Sequence, residues 1–100
     1  MSELAHTEAS RIHVVFYADF RKAAGVKEID IALDERIPVR QLLTMIAHQL
    51  PTLRRVVDAA LTQQEAGGHV LVLVGSKIAN LETMVSPGER VQVMPPISGG

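Results

Sequence analysis

Residues 27–50 read KEIDIALDERIPVRQLLTMIAHQL, and the period of their hydrophobic pattern changes part-way along. The first seven residues place apolar side chains at every second position, which predicts a strand. From Val39 onward apolar residues recur at helical spacing, so a helix is expected to run to Leu50 before Pro51 ends it. Pro38 suits the first helical turn, because the N–H that proline lacks has no partner there. The stretch therefore predicts a strand followed by the main helix.

Further strands are predicted on both sides of this stretch. Upstream, residues 11–17 (RIHVVFY) are rich in β-branched and aromatic residues, and a short connection containing Gly25 predicts a hairpin with the next strand. Downstream, residues 70–74 (VLVLV) and residues 90–94 (RVQVM) predict strands, with a short strand piece around Ile78 between them. One main helix between two groups of strands should pack on one face of a mixed sheet of four to five strands, an α+β fold.

The chain divides into one folded domain and two flanking segments. Residues 1–10 are polar and predict a flexible N-terminal leader, residues 11–94 form the domain, and residues 95–100 form an extended C-terminal tail that ends in Gly-Gly. Inside the domain, the apolar spacing over residues 53–61 predicts a further short helix, and residues 63–68 predict a loop.

The composition excludes several classes of function. The 100 residues carry 10 Lys and Arg against 11 Asp and Glu with no basic stripe, which argues against nucleic acid as a partner. There is no cysteine, which excludes disulfides, thiolate metal sites and a cysteine nucleophile. The four histidines lack metal-ligand spacing, and no metal site is predicted. Without a signal peptide or a membrane-spanning run, a cytoplasmic location without membrane contact is expected.

The tail carries the strongest functional signal. Six residues follow the last predicted strand: Pro95, Pro96, Ile97, Ser98, Gly99 and Gly100. The two prolines end the backbone ladder and favour a stiff extended exit, whereas the two glycines lack a Cβ and can thread a narrow cleft. A carboxylate on Gly100 could be activated by an ATP-using partner as an acyl-adenylate, after which sulfur could replace AMP. The alternative is an ordinary frayed terminus, since chain ends tolerate glycine.

These motifs resemble the MoaD/ThiS family of ubiquitin-like sulfur carriers, and most of all its molybdopterin synthase small-subunit branch. The ending PGERVQVMPPISGG, residues 87–100, is similar to the family's DGDEV-x-x-x-PP-V-x-GG. The opening VVFYADFRKAAG, residues 14–25, is similar to v-x-f-F-A-x-l-R-e-l-a-G, and residues 39–43 match the start of the family's helix. Gly75-Ser76 departs from the family's Asn-Gly turn, a change that leaves the tail motif intact.

The resemblance implies a ubiquitin-like β-grasp fold and a non-catalytic carrier rather than an enzyme. It implies that a ubiquitin-activating-type adenylyltransferase (MoeB-like) uses ATP and Mg to adenylate Gly100, and that a sulfur donor enzyme leaves a thiocarboxylate there. The tail, with residues 95–99 threading a cleft, would then donate sulfur inside the large molybdopterin synthase subunit (MoaE-like). The carrier itself would hold no cofactor.

The β-grasp strand order also predicts where partners dock, because it sets the last strand beside the first. An apolar surface is expected next to the tail on the side away from the helix, formed by Val15, Tyr17, Val72 and Met94. The alternative is that the chain's own residues 53–68 cover this face.

Three other functions use the same sequence features. The chain could carry sulfur for another pathway, such as thiamine, cysteine or tRNA thiolation. It could be a ubiquitin-like modifier joined through Gly100 to lysines of other proteins. It could also be an interaction domain with an inert tail. The motifs leave the sulfur acceptor open.

Overall fold

The computed structural model describes residues 11–63 and 70–95, and these contain seven strands and three α-helices. The elements follow in the order β1 (Arg11–Phe16), α1 (Ala18–Ala24), β2 (Glu28–Ala32), β3 (Ile37–Pro38), α2 (Val39–Gln49), a 3₁₀ helix (Pro51–Leu53), α3 (Arg54–Gln63), β4 (Leu71–Val74), β5 (Lys77–Ala79), β6 (Met84–Val85) and β7 (Arg90–Met94).

Five of the strands form one mixed sheet in the order β2-β1-β7-β4-β5. The pair β1–β7 is parallel, whereas β1–β2, β4–β7 and β4–β5 are antiparallel. Strand β7 therefore lies at the centre of the sheet, held by a neighbour on each side. The short strands β3 and β6 form a separate antiparallel pair. The predicted α+β fold with a mixed sheet of four to five strands is confirmed, and the sheet has five.

The main helix lies within one residue of its predicted bounds and runs from Val39 to Gln49, with Leu50 as its C-cap. Pro38 was expected in the first helical turn, but its backbone is extended and it belongs to β3. The helix turns five apolar residues into the core: Val39, Leu42, Leu43, Ile46 and Ala47. The N–H of Leu50 donates to the carbonyl of Ile46 at 2.7 Å, and Pro51 follows. The predicted second helix is also present, as the 3₁₀ helix and α3, which extends to residue 63. The rest of the predicted loop lies outside the described residues.

The predicted hairpin between the first two strands is correct in its pairing and wrong in its connection. Arg11 pairs with Ala32 and Val15 with Glu28, but α1 occupies most of the link. This helix has only seven residues, of which Phe20 alone is buried, so it has too few turns to show a hydrophobic period. It ends at Gly25, whose φ of +79° is left-handed and whose N–H donates to the carbonyl of Arg21.

Gly25 offers a direct test of this helix end. A Cβ at residue 25 would meet no atom within 4 Å, so Gly25→Ala introduces backbone strain without a steric clash. A left-handed conformation costs a non-glycine residue about 1–2 kcal/mol, and we expect the free energy of unfolding in urea to fall by about that amount. The control Lys22→Ala, at an exposed position of α1, should change it by less than about 0.5 kcal/mol. Equal stabilities of the two variants would contradict this account of the cap.

The core between the helices and the sheet is built from aliphatic side chains and two phenylalanines. Phe16 and Phe20 are both buried, and no polar side chain is buried within the described ranges. In residues 11–63 and 70–95, none of the helices has the length and apolar character needed to cross a bilayer.

Candidate functional site

The face of the sheet that points away from the core carries a continuous patch around the end of β7. Strand register fixes its members: Gln92 lies opposite Val15 on one side and Leu73 on the other, while Met94 lies opposite Leu71. Ile78 of the edge strand continues the row from Leu73. We call this set the outer-face patch; it consists of Val15, Tyr17, Leu71, Leu73, Ile78, Gln92 and Met94.

Hydrogen bonds hold the centre of the outer-face patch in one arrangement. The Tyr17 hydroxyl donates to Oε1 of Gln92 at 3.1 Å, and Nε2 of Gln92 donates to the carbonyl of Gly75 at 3.2 Å. Around this polar centre, Ile78 is 72% exposed and Tyr17 is 37% exposed. The other members of the patch are half-buried, except Val15, which is buried with 9% of its surface exposed. A partly apolar surface that is already ordered is suited to binding another protein, because little side-chain freedom is lost on docking.

The structure separates Val72 from the other residues of the predicted docking surface. Val15, Tyr17 and Met94 lie on the outer face as predicted, although Val15 is largely covered there, with 9% of its surface exposed. Val72 lies opposite Val93 and packs in the core with only 5% of its surface exposed. Its inclusion in the surface was wrong. The residues on either side of it, Leu71 and Leu73, supply the apolar contribution of β4 instead.

The predicted covering of this face by residues 53–68 does not hold for the part that the structure describes. Leu53, Val57 and Ala60 all pack in the core on the helix side of the sheet. They therefore lie on the opposite side from Tyr17 and Gln92. Residues 64–68 lie outside the described residues.

The tail begins from the central strand of the sheet, which has a neighbour on each side. The N–H of Tyr17 donates to the carbonyl of Val93 at 3.0 Å, so β1 holds β7 almost to its last residue. Met94 ends the strand, and Pro95 follows immediately and is half-buried. The rest of the tail lies outside the described residues, as does the leader over residues 1–10; these tail residues are Pro96, Ile97, Ser98, Gly99 and Gly100.

A charged cluster on the same face lies around His13, two residues before Val15 along β1. Nδ1 of His13 is 2.7 Å from an Asp30 carboxylate oxygen, and Nε2 is 2.5 Å from a Glu28 carboxylate oxygen. Arg11 also approaches Asp30, at 3.7 Å, and Arg90 lies opposite His13 in the sheet register. The bond to Asp30 is the main cause that raises the pKa of His13; partial burial opposes it and Glu28 reinforces it.

This cluster predicts a pH dependence of stability. Because the folded state raises the pKa of His13 above 6.5, protonated His13 stabilises the fold below pH 6.5, and this contribution is lost as the pH rises through the folded pKa. The side chains are substantially exposed, so we expect at most about 1 kcal/mol. Urea unfolding between pH 5.5 and about 8.5 should show this decline in the native protein and a flatter profile in His13→Gln. An equally steep decline in the variant would assign the effect to other groups.

The described part of the chain contains no preformed metal site. No group of three or more His, Cys, Asp or Glu side chains in residues 11–63 and 70–95 could hold a metal ion.

Comparison with known families assigns the chain. The family model described as the ThiS family matches residues 14–100, from the middle of β1 through the tail. The chain belongs to the ThiS family. The suspected MoaD/ThiS membership is thereby confirmed, and the match includes the Pro-Pro and Gly-Gly residues of the tail.

Solved structures of similar fold agree with the ThiS assignment. A protein described as molybdopterin converting factor subunit 1 from Pyrococcus furiosus is 26% identical over 87% of this chain and 98% of its own, with a TM-score of 0.67. SAMP1 from Haloferax volcanii is 26% identical over 90% of this chain and 99% of its own, with a TM-score of 0.71. The small archaeal modifier protein 1 from Methanosarcina acetivorans, at 23% identity over 91% and 97% and a TM-score of 0.68, supports the fold.

A search of curated protein sequences found no match. The family match and the solved structures together show that this ThiS-family chain has the fold of ubiquitin-like sulfur carriers and modifiers, with a β-grasp sheet of five strands.

Four residues of the outer-face patch were missed from the sequence. They are Leu71, Leu73, Ile78 and Gln92. The alternation in β4 could have identified the two leucines only with the register to β7, because every residue of that strand is apolar.

Proposed function

We propose that this ThiS-family protein is a sulfur carrier that donates sulfur for molybdopterin biosynthesis from a thiocarboxylate on Gly100. The observation that carries the proposal is the position of the tail motif. Pro95 follows directly after β7, the central strand of the sheet, and the family match continues through residue 100. A tail that leaves a rigid strand next to an ordered apolar surface can be presented to a partner's cleft in a fixed direction.

The loading chemistry uses the Gly100 carboxylate and no side chain of this protein. A carboxylate oxygen bonds to the α-phosphorus of ATP on the adenylyltransferase (MoeB-like), and pyrophosphate leaves. A sulfide equivalent from the sulfur donor enzyme then bonds to the acyl carbon, and AMP leaves with the carboxylate oxygen. The product is a thiocarboxylate. The ATP and Mg belong to the activating partner, and the use of ATP fits a cytoplasmic location.

The unloading step returns the tail to its starting state. In the large synthase subunit (MoaE-like), sulfur passes to a pterin precursor and water supplies the oxygen that restores the carboxylate. Because the chain has no cysteine, it cannot hold the sulfur on a side-chain thiol, and the terminal acyl group is the position that suits sulfur transfer. The carrier is then a reactant of the partner enzymes and needs no catalytic group of its own.

We further propose that both partners dock on the outer-face patch. The patch surrounds the last residue of β7, so a protein bound there meets the tail where it leaves the sheet. Its centre is the bonded pair of Tyr17 and Gln92, and Met94 lies closest to the tail.

A second function, protein modification through Gly100, is favoured by one observation. SAMP1 from Haloferax volcanii has the same fold and is 26% identical over 90% of this chain. A modifier starts from the same adenylate, but a lysine amine attacks the acyl carbon in place of sulfur. The difference lies in the acceptor.

Intact mass spectrometry tests the carrier function. The protein is incubated with ATP, Mg, an activating enzyme and a sulfur donor enzyme, and the carrier should gain the mass of one oxygen-to-sulfur exchange. Co-purification with a large synthase subunit from cells would then identify molybdopterin as the pathway. No gain of mass with an enzyme that loads another ThiS-family protein would contradict the proposal.

Tryptic digests of cell protein test the modifier. The last basic residue is Arg90, so trypsin would leave the ten residues VQVMPPISGG on a modified lysine rather than Gly-Gly alone. Lysine peptides that carry this remnant would establish conjugation. Their absence from cells in which the thiocarboxylate is detected would leave the carrier as the sole function of the tail.

A further inference from the structure

A groove on the helix side of the fold opens at the point where the tail begins. It lies between α1 and α3, with the 3₁₀ helix at its base, and has a volume of about 540 Å³. Pro95, the last described residue, forms part of its wall. The groove is therefore on the opposite side of the sheet from the outer-face patch, but at the same end of β7.

The walls of the groove are mainly apolar. Phe20 and Val56 face it from the two helices, and the small side chains of Ala23 and Ala59 leave space between them. The Thr52 hydroxyl donates to the carbonyl of Ala23 at 2.6 Å and ties the 3₁₀ helix to α1. A volume of this size is in the range that holds a small ligand or a short peptide segment.

Two charged residues lie on the rims of the groove, and they differ in sign. Asp19 lies on the α1 rim and Arg55 on the α3 rim. An anionic group that enters the groove is therefore repelled from the α1 side and attracted to the α3 side. Arg55 presents a guanidinium, which pairs well with a carboxylate.

The chain's own tail matches these features in position, chemistry and length. It starts at Pro95 in the groove wall, and its only branched aliphatic side chain, Ile97, follows two residues later. The five residues 96–100 reach roughly 17 Å when extended, enough to cross a groove of this size. They end in the carboxylate of Gly100.

We propose that in the free protein the tail folds back into this groove, with Ile97 against the apolar walls and the Gly100 carboxylate paired with Arg55. The docked tail is a resting state from which a partner must draw the carboxylate before it can react. This contact concerns where the tail lies before any reaction, so it holds for a sulfur carrier and for a modifier alike.

The test substitutes a residue on one side of the contact, tail or groove, and measures NMR signals of residues on the other side in the full-length, ¹⁵N-labelled protein. Ile97→Ser should shift the amide signals of Ala23 and Ala59, which are far from residue 97 in sequence. Arg55→Gln should lower the heteronuclear NOE of Gly99, because the end of the tail is released. Arg54→Gln is the matched control: this neighbouring exposed arginine does not line the groove and should leave the Gly99 NOE unchanged.

The proposal is overturned if Ile97→Ser leaves Ala23 and Ala59 unshifted, or if the Gly99 NOE is the same in the native protein and in Arg55→Gln. It is also overturned if the groove shifts disappear on dilution, because the occupant is then the tail of a second copy. Shifts that are independent of protein concentration, together with loss of the Gly99 NOE in Arg55→Gln alone, establish the docked tail. Sulfur loading is not measured, so a failed loading assay and an undocked tail are separate results.

Discussion

Deletion of Gly100 is expected to lower the rate of ATP-dependent sulfur loading by about 100-fold or more and to leave the fold intact. The deletion moves the carboxylate back by one residue, about 3.3–3.6 Å of extended chain. In an active site that positions reacting atoms, a displacement of about 1 Å can already cost a factor of 100. Because the described sheet and core are complete by Met94, the free energy of unfolding should not change.

Two measurements on the same samples check this result. Intact mass after timed incubation with ATP, the activating enzyme and the sulfur donor gives the loading rate, and urea unfolding gives the stability. Ser98→Ala is the control, because it changes the tail without shortening it and should load at a rate close to that of the native protein. Loading of the shortened chain at the native rate would exclude the Gly100 carboxylate as the site of activation.

The same experiment separates the carrier from the inert-tail alternative. An inert tail predicts that the native chain, the deletion and Ser98→Ala all stay at their starting mass with a competent enzyme. The proposed carrier predicts that the native chain and Ser98→Ala gain mass, while the deletion gains it about 100-fold more slowly or not at all. An inactive enzyme cannot give this pattern, because the native chain loads in the same assay, and the urea measurement excludes misfolding of the deletion.

Apart from the three-residue strand β5 around Ile78, the elements that the sequence predicted correctly have enough residues to show a period. Helix α2 has 11 residues with five buried apolar positions, and its ends are marked by Pro38 and Pro51. Strands β1 and β7 alternate or are strongly β-forming over five or six residues. Helix α1 has seven residues, and β3 and β6 have two each, so no period can appear in them. Their formation depends on tertiary contacts.

The error at Val72 has a different physical cause. All four residues of β4 are apolar, so the sequence pattern of this strand does not show which of its two faces is buried. Only the pairing of Val72 with Val93 assigns it to the core, and pairing joins residues that are distant in sequence. Tyr17 and Met94 were placed correctly because β1 and β7 contain polar residues, among them His13 and Gln92, that mark the outer face.

The tail motif is visible in the sequence, whereas the groove depends on tertiary packing. Pro95 and the terminal glycines lead to a functional hypothesis from the sequence alone, because prolines fix the backbone and glycines can enter a narrow cleft; the activated carboxylate stays a prediction. The groove could not be predicted, since Ala23 and Arg55 are brought together by the packing of α1 against the 3₁₀ helix and α3.

Met94→Glu is expected to weaken binding to the activating enzyme by about 10-fold or more, which corresponds to about 1.4 kcal/mol. Met94 is the last residue of β7 and lies in the outer-face patch next to the start of the tail. In the proposed complex a carboxylate at this position would lose water without gaining a partner. Met94 is half-buried at the surface and outside the core cluster, so the fold should tolerate the change.

Met84→Glu is a matched control for this prediction, because it makes the same substitution at an exposed methionine elsewhere. Met84 is 42% exposed and belongs to the separate β3–β6 pair, outside the outer-face patch. Titration of each variant with the activating enzyme should give a raised Kd for Met94→Glu and an unchanged Kd for Met84→Glu, with urea unfolding as the check on folding. A Kd for Met94→Glu equal to that of the native protein would show that the partner does not dock on the outer-face patch. Equal weakening would indicate that added negative charge, rather than the position of Met94, governs binding.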